Sequence, residues 1–431
     1  MKKILLLNAH FPPSNLAGVH RTRLFAQHLT SFNWEPVVLT VHEKYYEEEP
    51  DWNLVSLLPP ALRVEKVKAF RITKPRLIGD IGLRAFWQLY QKAKQLIIKE
   101  KIEFIYISIP SFYCALIGRW LHSSTGIPYG IDYIDPWVHD FPGSNQVFSR
   151  HWFAKKLAGF LEPVAIKKAS LITGVAAGYY TAVLERNPHL KKSAVVGSMP
   201  YGGEKQDQLL LQTLNKKPYL FFKNDKLQIV YAGAMMPKSY KPLEAVFKSM
   251  ANNPLLFSNT IFHFIGTGKT PNDKDGYNIK ALAQKYGLWQ KIIFEYPERI
   301  PYLDVLVHLN AADGIFILGS TEPHYTPSKI YQAVLSEKPV MALLHQDSTA
   351  VQVIKDSCAG LVYAFNGENG ITSISDHFAQ FFSTYISFVK SYDCKNVDRK
   401  FFEKYSAKNV TGTLASLLEK ALHSSKPPII E

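Results

Sequence analysis

Apolar residues follow two different spacings along this chain of 431 residues. Short runs of consecutive apolar residues predict buried strands, at 4–8, 36–40, 63–69, 104–107, 129–133 and 171–174, and later at 228–232, 260–265, 292–294, 314–318, 340–344 and 360–362. Between them, apolar residues recur every three or four positions, which predicts amphipathic helices, at 20–31, 82–101, 113–123, 151–168 and 179–186, and later at 242–250, 279–286, 301–310, 328–335 and 349–357. This alternation is typical of parallel sheets covered by helices on both faces.

The alternation weakens in the middle of the chain, between residues 200 and 225, where Gly202-Gly203 and Lys216-Lys217-Pro218 interrupt it. Such polar, Gly- and Pro-containing stretches favour a linker. We therefore predict a first domain at 1–205, a linker at 206–226, a second domain at 227–395 and a C-terminal helical segment at 396–431. In the last segment, apolar residues of 410–422 share one helical face.

Cysteine usage and charge narrow the classes of function. Cys114, Cys358 and Cys394 are scattered, which predicts neither a disulfide framework nor a metal site and fits a cytoplasmic protein. Lys and Arg number 50 against 36 Asp and Glu, a formal net charge of +14. This charge attracts nucleic acid, anionic lipid or an anionic substrate. No zinc-finger spacing, RNA-binding signature or arginine-rich tail favours nucleic acid.

A strand, loop and helix in the second half form the strongest chemical signal. Ser328 and Lys329 open a predicted helix after the apolar run 314–318. The first amides of a helix have no intrahelical acceptor and the helix dipole is positive there, so an anion is favoured, and Lys329 adds a full charge. A phosphate group at the carboxyl edge of a parallel sheet is the expected ligand. The alternative is that Ser328 only caps the helix and Lys329 is a solvated lysine.

The segment from Pro327 to Pro339 reads P-S-K-I-Y-Q-A-V-L-S-E-K-P. It resembles the donor-site segment of GT-B glycosyltransferases, especially the retaining enzymes of family 4, in which it often reads P-S-K-h-x-E-Y-h-A-x-G-K-P with h apolar. The resemblance continues in order through nearly the whole chain. It implies two Rossmann-like doubly wound α/β domains facing a cleft, the first binding an acceptor and the second a nucleotide sugar, with a C-terminal helix near the domain junction.

The resemblance implies an acceptor site in the first domain. After the first strand, Gly18 and Arg21 match the family's glycine turn and helix, where Gly lets the backbone approach closely and Arg reaches an anion. Asp135, Trp137 and His139 lie in a segment similar to the family's D-x-R-D-h-W-P. We expect Asp135 to take up an acceptor proton as a catalytic residue and the other four to bind the acceptor. The alternatives are an ordinary loop, a capping Asp135, a core Trp137 and a solvated His139.

The resemblance implies donor-binding residues after the strands of the second domain. Gly233 belongs to the family's Y-x-G segment, and Lys241 matches the Lys that grips the donor diphosphate. Lys238 can replace the family's Arg as a point charge. Gly266 and Gly268 form a G-x-G turn where a nucleotide would pass. Ser328 and Lys329, described above, also belong to the predicted donor-binding residues.

The family's E-x7-E pair is altered in this chain. Its second Glu corresponds to Gln332, whose amide can still hold ribose hydroxyls, and its first corresponds to His324. We expect His324 to act in catalysis near the transferred sugar and Glu322 and Gln332 to bind the donor. The alteration also leaves open a catalytically inactive GT-B protein that binds nucleotide or glycan as a partner subunit. A GT-B epimerase or phosphorylase is a third class, for which no residue pattern is visible.

The sequence thus favours a glycosyltransferase that moves a hexose or related sugar from a nucleotide-diphosphate sugar to a glycan or lipid-linked acceptor. The resemblance implies that the sugar keeps its anomeric configuration, and that the enzyme acts in bacterial-type surface polysaccharide or glycoconjugate synthesis. Neither a cofactor nor a metal is expected. Basic, amphipathic patterns at 82–101 and 150–157 predict peripheral contact with the anionic inner face of a membrane. The alternative is that the apolar face of 82–101 packs on the sheet while its lysines face water.

Overall fold

The chain folds into two compact units. The computed structural model describes residues 1–73, 78–138, 146–268, 270 and 273–425. The first unit joins Met1–Tyr201 to Ala407–Glu431, and the second is Gly202–Ser406. The division falls near the predicted end of the first domain at 205, but residues 206–226 belong to the second unit instead of forming a separate linker. The C-terminal segment is likewise divided, because 396–406 lie in the second unit and the rest in the first.

Each unit is built on one parallel sheet. Within the described residues, the first sheet has seven strands in the order β3-β2-β1-β4-β5-β6-β7, and the second has six in the order β10-β9-β8-β11-β12-β13. The strands of the first sheet are β1 Lys2–Leu7, β2 Trp34–Val41, β3 Arg63–Val67, β4 Phe104–Ile109, β5 Tyr129–Tyr133, β6 Leu171–Gly174 and β7 Val195–Ser198. Those of the second are β8 Leu227–Ala232, β9 Thr260–Ile265, β10 Ile293–Tyr296, β11 Gly314–Leu318, β12 Val340–His345 and β13 Gly360–Phe365.

Helices connect the parallel strands. They are α1 Ala17–His28, α2 Ile81–Arg84, α3 Phe86–Glu100, α4 Cys114–Thr125, α5 Arg150–Ile166, α6 Thr181–Arg186, α7 Leu190–Ser193, α8 Lys205–Leu214, α9 Tyr240–Asn252, α10 Pro254–Phe257, α11 Lys280–Lys285, α12 Tyr302–Ala311, α13 Lys329–Leu335, α14 Thr349–Ser357, α15 Ile371–Ser391, α16 Arg399–Phe402 and α17 Ala407–Ser425. The predicted fold class is therefore confirmed, because both units are doubly wound, Rossmann-like α/β domains.

The strand order reverses once in each sheet, and this reversal decides where a ligand can bind. In the first sheet the chain runs outward from β1 to β3 and then crosses to β4 on the other side of β1; in the second, β8 and β11 are the corresponding pair. The loops after these two strands diverge and leave a crevice at the carboxyl edge, where open α/β sheets bind their ligands. Each unit therefore has one such position, β1/β4 in the first and β8/β11 in the second.

The final helix completes the core of the first unit. Leu414, Leu418 and Ala421 of α17 are buried in the same cluster as Phe25 of α1 and Trp34 of β2. They are separated by four and then by three positions, which places them on one helical face, as the sequence predicted for 410–422. In β7, a Cβ at Gly197 would lie 2.5 Å from a methyl carbon of Leu417, so glycine permits α17 to approach the sheet.

Candidate functional site

Gly233 and Lys329 meet where the strand order of the second sheet reverses. Gly233 follows β8, has a φ of 133° and donates its N–H to the Ile265 carbonyl at 2.8 Å. Lys329 is the first residue of α13, which follows the loop after β11. A Cβ on residue 233 would lie 2.7 Å from the ammonium nitrogen of Lys329. Both φ and space therefore favour glycine here, and the ammonium group lies against the backbone of residue 233.

The charge of Lys329 has an aromatic partner in place of an acidic one. Its Nζ lies 3.9 Å from the centroid of the Tyr231 ring, which is itself buried. Among the described residues, no carboxylate forms a salt bridge with it, although the residue as a whole is only half-buried. Desolvation of the ammonium group lowers the pKa of Lys329 to about 7. An anion bound beside it would stabilise the charged form.

Two glycines hold the neighbouring loop close to the sheet. Gly266 has a φ of 71° and donates to the Tyr296 carbonyl at 2.8 Å, and Gly268 donates to the Pro297 carbonyl at 2.9 Å. A Cβ on Gly268 would lie 2.6 Å from that same Pro297 oxygen. The buried carboxylate of Glu295 then accepts the hydroxyl of Thr267 at 2.7 Å and three backbone N–H groups, those of Asn278, Ile279 and Lys280. The predicted G-x-G segment is thus a fixed turn at the carboxyl edge.

The other two predicted donor lysines carry acidic partners. Lys238 Nζ lies 3.1 Å from Glu322, and Lys241 Nζ lies 2.6 Å from Glu368. Thr321 links the two pairs, since its hydroxyl donates to Glu368 at 2.9 Å and its N–H donates to the Lys238 carbonyl at 3.1 Å. A phosphate would compete with these carboxylates for either lysine. Sequence reasoning missed Thr321 and Glu368 because nothing in their local pattern marks them.

The remaining predicted donor residues occupy the loop and helix after β11. Ser328 makes no side-chain capping bond at the start of α13, a helix of seven residues, and its predicted contribution to anion binding stays a prediction. Gln332 accepts a hydrogen bond from Gln208 of α8 at 3.4 Å. Gln208 comes from the stretch that was predicted to be a linker. His324 is half-buried in the loop that joins β11 to α13.

Arg21 has a structural role that the sequence did not predict. Its guanidinium is fully buried and forms two hydrogen bonds to Asp132 of β5, at 2.6 and 2.9 Å. It also donates to the carbonyls of Met199 and Pro200 at 2.8 and 2.7 Å. The expectation that Arg21 binds an acceptor is therefore corrected, because these groups occupy its donors and water does not reach it.

Trp137 also lies in the interior. It is 7% exposed and stacks on Phe112 with ring centroids 5.7 Å apart and an interplanar angle of 6°. The core alternative therefore describes Trp137 better than the predicted contact with an acceptor. Asp135, two residues earlier, is exposed and remains accessible to a ligand. His139 lies outside the described residues.

Gly18 packs where the loops after β4 and β5 approach α1. A Cβ on it would lie 3.4 Å from Pro110 Cδ and from Ile134 Cδ1. The structure thus shows that Gly18 lies close to two neighbouring loops. Its predicted contact with a ligand stays a prediction. No group of His, Cys, Asp and Glu among the described residues has the arrangement of a metal site.

The two stretches predicted to touch a membrane differ in exposure. In 82–101, Leu89, Ala93, Leu96 and Ile97 are buried, so this face of α3 packs in the core and the alternative interpretation is the correct one. In contrast, Phe153 and Phe160 of α5 are 54% and 70% exposed. In the part of the chain that the structure describes, no helix combines the length and the apolar character that crossing a bilayer requires.

The whole chain has the same fold as several solved structures. A sucrose-phosphate synthase (tll1590) from Thermosynechococcus elongatus matches with a TM-score of 0.65 and 15% identity, over 98% of this chain and 100% of that one. Anabaena Alr3699/HepE in complex with UDP matches with 0.60 and 15%, over 97% and 100%. A glycosyltransferase from Rickettsia africae ESF-5 matches with 0.60 and 14%, over 98% of each chain. No protein-family model matches the chain, and no curated protein matches it by sequence.

Proposed function

We propose that this protein is a glycosyltransferase that binds a nucleotide-diphosphate sugar in its second unit. The observation that carries the proposal is Lys329, whose ammonium group lies beside Gly233 at the point where the strand order reverses and has no described carboxylate partner. A charge left without its counter-ion at the ligand-binding edge of a Rossmann-like sheet favours a phosphate. The fold shared with a glycosyltransferase from Rickettsia africae and with Alr3699/HepE in complex with UDP supports a uridine nucleotide.

In this proposal, Lys329 stabilises the leaving diphosphate. As the sugar departs, negative charge grows on the phosphate, and an ammonium group already in place stabilises that charge more than it stabilises the ground state. Gly233 and Gly266 let the backbone approach the ligand. Lys238 and Lys241 reach the phosphates by exchanging Glu322 and Glu368 for them, so each contributes less than Lys329.

Calorimetric titration with UDP tests the donor site. We expect Lys329→Ala to weaken UDP binding by about 10- to 100-fold, since hydrogen bonds to charged groups contribute about 1.5–3 kcal/mol. Lys241→Ala should weaken it less, and Lys248→Ala, an exposed lysine of α9, should not change it. A thermal-shift panel of nucleotide sugars would then identify the donor. Equal affinities in the wild type and Lys329→Ala would refute the site.

Asp135 and His324 are assigned separate roles in the transfer, Asp135 in taking up the acceptor proton and His324 in catalysis near the transferred sugar. We propose transfer of a hexose or related sugar with retention, to a glycan or lipid-linked acceptor of surface polysaccharide or glycoconjugate synthesis, as the family resemblance implies. Asp135→Asn and His324→Ala should each lower the transfer rate while UDP affinity stays within about twofold. The anomeric coupling in the NMR spectrum of the product reports retention or inversion. Nucleotide binding without any transfer or epimerisation would instead support an inactive binding protein.

We also propose that α5 attaches the protein to an anionic membrane surface at the cytoplasmic side. Apolar side chains at spacings of four, three and four residues share one outer face, which comprises Phe153, Leu157, Phe160 and Val164. Ala158, Glu162, Ala165 and Ile166, which are buried, lie on the opposite side of the helix. Exposed Arg150, Lys156, Lys167 and Lys168 flank the outer face. Apolar side chains flanked by cations suit a lipid interface, to which each basic residue adds about 1 kcal/mol.

Vesicle sedimentation tests this attachment. The protein should bind anionic vesicles more than neutral ones, less at high salt, and at least about tenfold more weakly after Phe153→Ser and Phe160→Ser. Trp87→Ser, an exposed aromatic change on α3, is the matched control. Absence of vesicle binding, or a dimer that the two substitutions dissociate, would assign the outer face to a protein partner or to a second copy.

A further inference from the structure

A cavity of about 160 Å³ lies where the strand order of the first sheet reverses. His10 and Leu16 line it from the loop after β1, and Pro110 and Ser111 line it from the loop after β4. These are the two loops that diverge at the reversal, so the cavity occupies the position at which such a sheet binds ligands. None of its polar residues was predicted from the sequence. The remaining walls consist of Glu47, Glu48, Gly79, Asp80, Ile81 and Arg84.

His10 is oriented by a fixed carboxylate. Its Nδ1 lies 2.9 Å from Glu48, to which Ser14 also donates its hydroxyl. Burial disfavours the charged form of Glu48, but the hydrogen bonds and the charge of His10 outweigh it and lower its pKa to about 2. Because an ionised carboxylate only accepts, Nδ1 must carry a proton toward Glu48, which leaves Nε2 as the ring nitrogen that a ligand can contact. No described residue forms a hydrogen bond with Nε2.

The opposite side of the cavity presents a second polar group. The Ser111 hydroxyl lies 3.1 and 3.2 Å from the two oxygens of Asp80 and accepts the Gly82 N–H at 3.2 Å. Burial raises the pKa of Asp80 despite these bonds and the N–H of Leu83. Arg84, 4% exposed, donates to the carbonyls of Phe70 and Tyr45, while its buried Nε has no partner among the described residues. The polar lining of the cavity thus includes the imidazole of His10, the Ser111 hydroxyl and the carboxyl groups of Glu48 and Asp80.

We propose that this cavity binds an uncharged sugar ring of the acceptor, with one of its hydroxyl groups hydrogen-bonded to His10 Nε2. The inference rests on the proposed glycosyltransferase function and specifies the chemistry of its acceptor site. The carboxyl oxygens of the lining suit hydrogen bonds from several hydroxyl groups, and the apolar walls of Leu16, Ile81 and Pro110 suit the C–H face of a ring. The three carboxyl groups disfavour an acceptor phosphate at this position.

Saturation-transfer NMR tests the proposal on the full chain, with UDP at saturating concentration. The probes are the methyl glycosides of glucose, galactose, mannose and N-acetylglucosamine. At least one should show saturation transfer with the wild type, and His10→Asn should reduce it about fivefold or more. The amide of Asn can replace Nδ1 toward Glu48 but does not reach the position of Nε2. Exposed His189 of the same unit gives the control His189→Asn.

A second variant separates binding from folding. Asp80→Asn keeps an oxygen to accept the Leu83 N–H, and it should change which glycoside binds best while the melting temperature and the UDP affinity stay near those of the wild type. Saturation transfer that is the same in both variants and the wild type would overturn the inference, as would its absence for all four glycosides while UDP binds. Failure of UDP binding by the wild type would instead contradict the proposed function.

Discussion

The charge of Lys329 depends on the occupant of the site beside it. Because the pKa of Lys329 is about 7 in the protein without ligand, its side chain is mostly neutral at pH 8. A bound diphosphate will raise that pKa. We therefore expect UDP binding at pH 8 to take up close to one proton. Titration calorimetry in two buffers of different protonation enthalpy measures the uptake. Lys329→Ala should abolish it, and undiminished uptake in that variant would contradict the assignment.

Substitution of Arg21 tests whether this residue stabilises the fold or binds a ligand. Arg21→Met would leave the buried Asp132 without its ion-pair partner, although the Thr173 hydroxyl would still donate to it, at 2.9 Å. Removing one partner of a buried ion pair costs about 3–5 kcal/mol, so the free energy of unfolding of the first unit should fall by about that much in urea. UDP affinity of the folded protein should not change. Arg150→Met, an exposed control, should leave stability within about 0.5 kcal/mol.

The roles of individual residues were the least accurately predicted from the sequence. Arg21 and Trp137 are of types that bind sugars and phosphates, but they are also types that fill cores, and local sequence does not separate the two. The partner that decides the matter for Arg21 is Asp132, 111 positions away. His10, Glu48 and Asp80 were missed for the same reason, since only the fold brings them together.

Strands and helices were predicted more accurately than the roles of single residues, because runs of apolar residues indicate burial directly. The strands at 129–133, 171–174, 260–265 and 314–318 have the predicted bounds, and the helix predicted at 328–335 is α13. The longest helix, α15, was not predicted, since Ser, Thr, Ile and Phe dominate it and have modest helix propensity. Its stability comes from tertiary packing of Ile374, Phe378, Phe382 and Tyr385, a contribution that propensity does not include.

A buried histidine holds the segment before β8 in place and gives the second unit a pH-dependent stability. His263 of β9 lies 2.7 Å from Gln228 and stacks on Phe221 with centroids 4.2 Å apart. Burial, and then the charge of His308, lower the pKa of His263 to about 4 from 6.5. The unfolded chain therefore binds the proton more tightly, and this stabilisation is full above pH 6.5 and lost as the pH falls toward 4.

Urea titrations at two pH values measure this effect. Between pH 7 and pH 5 the wild type should lose about 2 kcal/mol of unfolding free energy through His263. His263→Gln, which keeps a hydrogen-bonding amide, should show a loss that is smaller by that amount. If both proteins lose the same free energy, His263 does not titrate as its surroundings imply.

At the scale of the whole molecule, the two units differ in continuity. Gly202–Ser406 is one uninterrupted segment that contains its entire sheet and the Lys329 site, whereas the first unit needs both ends of the chain. We expect a 202–406 fragment to fold cooperatively and to bind UDP within about tenfold of the full chain. A 1–201 fragment, which lacks α17, should aggregate or melt at a lower temperature. Circular dichroism and calorimetry compare them, and an unfolded 202–406 fragment would contradict the division.

The return of α17 to the first unit also bears on how the protein is synthesised. A ribosome makes residues 1–201 first, but the helix that covers Phe25 and Trp34 leaves the exit tunnel only after the whole of Gly202–Ser406. Domains usually fold as they emerge, in the order of translation. Here the middle of the chain can reach its final structure while the earlier portion still exposes an apolar surface. We expect that nascent surface to bind chaperones until α17 emerges.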